Sequence, residues 1–155
     1  MALITLTSDI GSPDYLVGAI KAQLLRLIPN AQIIDISHAI PPFNYPQASY
    51  VCRSAIQHFP SHTFHVILVD LFANPSNHLV LAFHQNQYFL CANNGLLSMI
   101  LEGTPEMVVG ISMDPTITKT TLQITESMGL VINKLDQGTS IKEVGAEEIN
   151  FFYDF

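Results

Sequence analysis

The sequence predicts an α/β domain built on a mostly parallel sheet with helices on both faces, a Rossmann-like three-layer sandwich. Short apolar, β-rich runs alternate with segments of helical apolar spacing as far as Val69. The first run, Leu3 to Thr7, leads through a polar turn at Gly11 into a helical pattern, which is the order in which an α/β sheet opens. The 155 residues are enough for one domain with its own core.

The first helix is predicted to begin at Ser12 and Pro13. Serine is a good N-cap, proline suits the first helical position, and Asp14 would place a carboxylate in the first turn. Apolar residues at helical spacing then mark one face as far as Pro29, which ends the helix.

The middle of the chain predicts a further strand, helix and strand. Ala31 to Ile36 is apolar enough to favour a central position in the sheet. Prolines exclude regular structure from Ser37 to Pro46, after which a helix is predicted from about Pro46 to His58. The strand from Thr63 to Val69 ends at Asp70.

The rest of the chain predicts a hairpin, two helices and another strand. The hairpin joins His78–Phe83 to Gln87–Ala92, and a short helix follows Gly95. A strand over Met107 to Ile111 precedes a helix from about Ile124 to Leu135. We expect the α/β domain to span residues 1–148 and the apolar segment 149–155 to begin a linker or strand toward a carboxyl-terminal β domain absent from this chain.

Two carboxylates follow predicted parallel strands. Asp9 and Asp70 should lie at the same edge of the sheet, where α/β proteins bind ligands. Asn93 and Asn94, which follow another predicted strand, should be turn and cap residues near this site. The alternative is that Asp9 is an N-cap or loop carboxylate and Asp70 a solvated loop acid.

Composition excludes several classes of function. A net charge of −7, with only six lysines and arginines, argues against nucleic acid as a partner. No apolar run approaches the ~18 residues of a membrane span. Cys52 and Cys91 stand in apolar runs, as buried thiols of a cytoplasmic protein do. His62 and His65 fall on opposite faces of a strand, so we predict neither a metal nor a cofactor.

Four segments resemble the S-adenosylmethionine hydroxide adenosyltransferases, which are relatives of the fluorinase and chlorinase enzymes. They are SDIGSPDYLVG, IIDISHAIPPFNYPQA, the strand ending at Asp70, and NNGLL. The resemblance runs from Leu3 to about Gly145 and implies cleavage of S-adenosylmethionine by water into adenosine and methionine. It also implies a homotrimer, with each site between this domain and the carboxyl-terminal β-barrel domain of a neighbouring subunit.

The resemblance implies roles for individual residues. Asp9, next to Ser8, matches the acid that binds both ribose hydroxyls, and a carboxylate suits a vicinal diol. Asp14 matches a residue near the adenosyl group, and Phe43 matches a bulky side chain against the substrate. Asp70 matches the acid of the hydrolase's Asp-Arg-His set, whereas halogenating relatives have a tyrosine there.

The sequence departs from the family pattern at the other catalytic positions. Asn77 stands in the place of the arginine, and Gln123 is the nearest match to the histidine. Asn93 and Asn94 fall in the element that is Pro-Asp-Asn-Gly in relatives, and we expect them to contribute to substrate binding. Asp70 and Asn77 are therefore the expected catalytic pair, with water as the nucleophile.

Three interpretations remain open from the sequence. The first is the substrate-binding domain of an S-adenosylmethionine hydrolase. The second is a non-catalytic adenosine-binding protein or trimeric scaffold that has kept the fold and lost the chemistry. The third is an unrelated doubly wound domain with a different small ligand.

Overall fold

The structure is a computed structural model, and it describes residues 2–11, 14–73, 78–113 and 119–147. Its strands are β1 (Leu3–Ser8), β2 (Gln32–Ser37), β3 (Phe64–Leu68), β4 (His78–His84), β5 (Gln87–Ala92), β6 (Met107–Ser112) and β7 (Ala146–Glu147). Its helices are α1 (Leu16–Leu27), α2 (Tyr45–Ile56), α3 (Leu96–Ile100), α4 (Thr121–Asp136) and α5 (Ile141–Val144).

The described strands form one mixed sheet in the order β2-β1-β3-β5-β4-β6-β7. The pairings among β2, β1, β3 and β5 are parallel, and those of β4 with β5 and β6, and of β6 with β7, are antiparallel. The predicted α/β class is thus confirmed. The antiparallel part begins at the predicted hairpin, where Gln85 and Asn86 both take positive φ and reverse the chain in two residues.

Alternate side chains of the strands enter two separate hydrophobic clusters. In β3, Val66 belongs to the cluster that includes α1 and α4, whereas the next residue, Ile67, belongs to the cluster that includes α2 and α3. This alternation follows from the two-residue period of a strand. Burying one such side chain stabilises the fold by roughly 1.5–3 kcal/mol. Hydrophobic burial therefore holds helices against both faces of the sheet.

The prediction that the second strand is central is wrong, because β2 is the edge strand next to β1. The chain passes from β1 through α1 to β2, then crosses by α2 to β3 on the other side of β1. This leaves β2 with one neighbour, and the side chain of Ile34 is 44% exposed. An apolar run alone does not distinguish a central strand from an edge strand.

The predicted start of the first helix is also wrong. The helix begins at Leu16, with Tyr15 in the N-cap position, so Asp14 precedes the first turn. The Asp14 carboxylate instead accepts a hydrogen bond from the Tyr15 N–H at 2.7 Å. Ser12 and Pro13 lie outside the described residues.

Two other helices begin earlier than predicted. Asn44 caps α2 by accepting the Gln47 N–H at 3.0 Å, so that helix starts at Tyr45. Helix α4 starts at Thr121 behind a capping box in which Thr120 and Gln123 bond each other's backbone N–H groups. The predicted segment 149–155 lies outside the described residues.

None of the helices described is long and apolar enough to cross a lipid bilayer.

Candidate functional site

The site lies where the order of the strands reverses. β2 and β3 lie on opposite sides of β1, and such a switch point opens a crevice at the carboxyl ends of the strands. Asp9 follows β1 and Asp70 follows β3 after Val69. The Asp70 N–H donates a hydrogen bond to Asp9 Oδ2 at 2.9 Å, so the predicted placement of both carboxylates at one edge is confirmed.

A cleft of about 460 Å³ opens over the two carboxylates. Its described lining consists of Asp9, Ile10, Pro42, Phe43, Asp70, Leu71, Phe72, Ala73 and Thr121. These lining residues include two acids and no lysine, arginine or histidine. The cleft therefore favours neutral or cationic ligands over anionic ones.

A chain of polar side chains ends at Ser8, the residue before Asp9. Ser8, which is fully buried, is hydrogen-bonded through Oγ to His38 Nδ1 at 2.6 Å. His38 Nε2 is bonded to Asp35 Oδ1 at 2.8 Å, and Lys21 forms an ion pair with Asp35. Partial burial alone would raise the pKa of Asp35, but hydrogen bonds with Lys21 and His38 outweigh it, and the pKa is lowered.

Neutral groups support the Asp70 half. The Tyr45 hydroxyl donates a hydrogen bond to Asp70 Oδ2 at 2.6 Å. Asn94 Nδ2 donates to the carbonyl oxygens of Val69 at 2.8 Å and Asp70 at 3.2 Å. Burial and the bond to Asp70 raise the pKa of Tyr45 far above its usual value, so its hydroxyl stays protonated at neutral pH.

Two aromatic side chains flank the carboxylates. Phe43 is 76% exposed and Phe72 is 58% exposed, although both line the cleft. Phe43 has φ +63°, a left-handed conformation that a bulky residue rarely adopts, and Asp70 has φ +50°, which aspartate adopts more readily.

The structure brings three of the predicted site residues together. Asp9, Asp70 and Phe43 all line the cleft. They come from the ends of two neighbouring strands and from the loop before α2. Their roles toward a ligand stay predictions, and the geometry allows each of them to contact the same molecule.

The other predicted site residues lie elsewhere. Ser8 is buried behind Asp9, and Asp14 is exposed before α1; neither is among the described residues that line the cleft. Asn93 is buried after β5, while Asn94 holds the backbone of the Asp70 loop and accepts the Leu96 N–H at 3.0 Å. Asn77 lies outside the described residues.

Sequence reasoning did not predict six of the lining residues, which are Ile10, Pro42, Leu71, Phe72, Ala73 and Thr121, nor Tyr45, which bonds Asp70. The Thr-x-x-Gln capping box at Thr120 could have placed the start of α4, and so Thr121, correctly. Tyr45 and Asp70 are 25 positions apart in the chain, and no local pattern signals their contact.

A second cavity, of about 300 Å³, lies at the opposite edge of the sheet. The ends of α2 and α3 and the β4–β5 turn line it. Its arginine, Arg53, is already bonded to the last carbonyl groups of α3 and lies 3.9 Å from Glu102. His84 also lines this cavity, and its buried Nδ1 has no hydrogen-bond partner among the described residues. The cleft over Asp9 and Asp70 is the stronger candidate because it lies at the carboxyl ends of the parallel strands, where α/β proteins bind ligands.

The described residues contain no group of three or more side chains suited to hold a metal ion. Asp9 and Asp70 are the two carboxylates of the cleft lining, and hydroxyl groups of a ligand are suitable donors for them.

Sequence comparison finds related hydrolases. The chain is 35% identical over 105 residues to the (R)-S-adenosyl-L-methionine hydrolase of Methanocaldococcus jannaschii, a match covering 64% of this chain and 40% of that protein. It is 30% identical over 94 residues to the enzyme of the same name from Salinispora arenicola, a match covering 61% of this chain and 36% of that protein. The matched region thus spans about two fifths of the length of these relatives.

Solved structures share the fold. A conserved uncharacterized protein from Thermotoga maritima superposes with a TM-score of 0.81 at 28% identity, over 95% of this chain and 58% of that one. A conserved hypothetical protein from Thermus thermophilus gives 0.76 at 22% identity, over 96% and 59%, which supports the fold alone. The family model of the SAM hydroxide adenosyltransferase N-terminal domain matches residues 4–145. The chain therefore belongs to the SAM hydroxide adenosyltransferase family.

Proposed function

We propose that the chain is the substrate-binding domain of an S-adenosylmethionine hydrolase, which releases adenosine and methionine by attack of water at C5′. The observation that carries this proposal is the placement of two carboxylates, Asp9 and Asp70, at the switch point of the sheet. The Asp70 N–H donates a hydrogen bond to Asp9 there, and the described lining of the cleft has no cation. The names of the related hydrolases support the same substrate.

The two carboxylates have separate tasks in this proposal. Asp9 accepts hydrogen bonds from the 2′- and 3′-hydroxyl groups of the ribose. Phe43 offers an exposed aromatic face to the ligand at the cleft. The acidic lining suits a sulfonium ion, whereas it would repel the phosphates of a nucleotide.

The chemical step needs little from the protein beyond placement. The oxygen of water forms a bond to C5′ while the C5′–S bond breaks. The electron pair of the C5′–S bond stays on sulfur and leaves with neutral methionine. The proton of the attacking water passes to Asp70 or to solvent. Asp70 orients the water and accepts its proton, and exclusion of bulk solvent strengthens that interaction.

The test incubates the full-length protein with S-adenosylmethionine, with and without chloride, and separates the nucleosides by chromatography. We expect adenosine, formed by the wild type and by a Glu102→Gln control at the opposite edge of the sheet, and lost in Asp70→Asn. Formation of 5′-chloro-5′-deoxyadenosine would contradict water as the nucleophile.

A second candidate is an adenosine-binding protein without catalysis. Asn77 takes the place of the family arginine. Gln123, the nearest match to the histidine, is bonded to the Thr120 backbone in the cap of α4 at 2.8 Å. Binding of adenosine without any cleavage of S-adenosylmethionine would favour this candidate.

We further propose a homotrimer whose complete sites include a carboxyl-terminal domain of a neighbouring subunit. The family resemblance supports this assembly, and so does the exposed edge strand β2. We also interpret the domain as a Rossmann-like three-layer sandwich. The free buried thiols of Cys52 and Cys91 favour a cytoplasmic protein. Light scattering that finds only monomers at tens of micromolar would count against the trimer.

A further inference from the structure

Asp70 is held at three points. Its N–H donates to Asp9 Oδ2 at 2.9 Å, and its carbonyl oxygen accepts from Asn94 Nδ2 at 3.2 Å. These two bonds fix the backbone in its left-handed conformation but leave the side-chain torsions free. The third bond, from the Tyr45 hydroxyl to Oδ2 at 2.6 Å, acts on the carboxylate itself.

Tyr45 approaches Asp70 from the protein side. Asp70 lines the cleft, whereas Tyr45 is not among the described lining residues and packs against the buried cluster beside α2. Its position is set by the start of α2, where Asn44 forms the N-cap. The hydroxyl therefore reaches the carboxylate from a fixed anchor, and a bond from a neutral donor to a charged acceptor is short and strong.

The same short segment serves both walls of the site. Phe43, two residues before Tyr45, lines the cleft in a left-handed conformation. Two residues later, the Tyr45 hydroxyl reaches Asp70. The segment thus supplies both a lining residue of the cleft and the donor to the carboxylate.

We propose that Tyr45 is a positioning residue for Asp70, whose hydroxyl holds the carboxylate in the orientation that faces the cleft. This inference rests on the proposed function for its role in the reaction, since the water that attacks C5′ must meet a carboxylate of fixed direction. Because the donor is neutral, it orients Asp70 without placing a positive charge beside a cationic substrate.

The first test needs no activity. The alkaline titration of Tyr45 is followed by NMR with tyrosine labelled at Cζ, in the wild type and in Asp70→Asn. We expect the pKa of Tyr45 to fall in Asp70→Asn, because the charged acceptor that favours the protonated phenol is gone. An unchanged pKa would overturn the pairing and with it the proposal.

The second test separates binding from chemistry. Tyr45→Phe keeps the ring and removes the hydroxyl, and Tyr50→Phe, on the exposed face of the same helix, is the matched control. For adenosine formation we expect Tyr45→Phe to lower kcat about 10- to 100-fold with KM nearly unchanged, and Tyr50→Phe to alter neither.

The outcomes are distinguishable. Equal kcat values for Tyr45→Phe and Tyr50→Phe would overturn the role of Tyr45 while leaving the hydrolase intact. A wild type that forms no adenosine would instead overturn the proposed function, and the titration of Tyr45 then decides whether the positioning bond exists.

Discussion

The two carboxylates of the cleft lie side by side, yet the molecule supports them in different ways. Ser8, the residue before Asp9, ends a chain of charged and polar side chains that also includes Lys21, Asp35 and His38. Behind Asp70 stand the hydroxyl of Tyr45 and the amide of Asn94, both neutral donors. The Asp9 half of the site thus adjoins an ion pair, whereas the Asp70 half is held by neutral hydrogen-bond donors.

This difference matches a division of labour. In the proposed function, Asp9 recognises the ribose of the adenosyl group, and the resemblance to the family includes this residue. In the Asp70 half, Asn77 takes the place that the resemblance gives to the family arginine, and the Tyr45 hydroxyl takes part in holding the carboxylate. The proposed function thus assigns recognition to Asp9 and chemistry to the half that neutral donors hold.

The largest expected effect concerns the two strands that lead to the carboxylates. Thr5 in β1 and His65 in β3 share a buried hydrogen bond of 2.7 Å within the sheet. Burial lowers the pKa of His65 to about 4, so the native state holds the imidazole neutral. The unfolded chain binds its proton near pH 6.5, so stability must fall as the pH drops from 6.5 to 4, by roughly 3 kcal/mol.

Urea denaturation at pH 7 and pH 4 measures this loss of unfolding free energy. The wild type should lose about 3 kcal/mol more than His65→Gln over that interval. His58→Gln, at an exposed position, should behave like the wild type. Identical pH dependence in wild type and His65→Gln would refute the assignment.

The next effect tests the charge of the cleft. In the proposed function the 5′ end of the ribose lies next to Asp70, where adenosine monophosphate carries its phosphate. The monophosphate should therefore bind at least about fivefold more weakly than adenosine at low salt, a difference of about 1 kcal/mol. Calorimetry at low and high ionic strength checks this prediction. The difference in affinity between adenosine and adenosine monophosphate should become smaller as the salt concentration rises. Tighter binding of the monophosphate would mean that a cation faces the site.

The smallest effect comes from Asp35, because its side chain and that of Lys21 are each 37% exposed. Asp35→Asn removes the charge that pairs with Lys21 and should lower the unfolding free energy by no more than about 1 kcal/mol. The titration of Tyr45 should not change. A double-mutant cycle with Lys21→Met isolates the pair, and a shifted Tyr45 titration would show that the two halves are not independent.

The sequence predicted the parts of this molecule that depend on local pattern. Alternating strand and helix signals placed Asp9 and Asp70 at one edge, because parallel strands linked by helices end on the same side. The hairpin followed from two apolar runs with a short polar join. These features need no knowledge of which strands are neighbours.

The rest depends on contacts between distant parts of the chain. The edge position of β2 follows from the crossover to β3, which composition does not encode. The start of α1 at Leu16 overrides favourable capping residues upstream, since tertiary packing outweighs local propensity. The bond between Tyr45 and Asp70 joins α2 to the end of β3, and only the folded chain reveals it.

The most direct measurement tests whether Asp9 binds the 2′- and 3′-hydroxyl groups of the ribose. Calorimetry compares adenosine with 2′,3′-dideoxyadenosine in the wild type and in Asp9→Asn, a variant that keeps an oxygen to accept the Asp70 N–H. In the wild type, loss of charge-assisted bonds should weaken binding about 10- to 150-fold, and Asp9→Asn should nearly abolish that difference. Equal affinity of the wild type for both nucleosides would contradict a nucleoside site at this edge of the sheet.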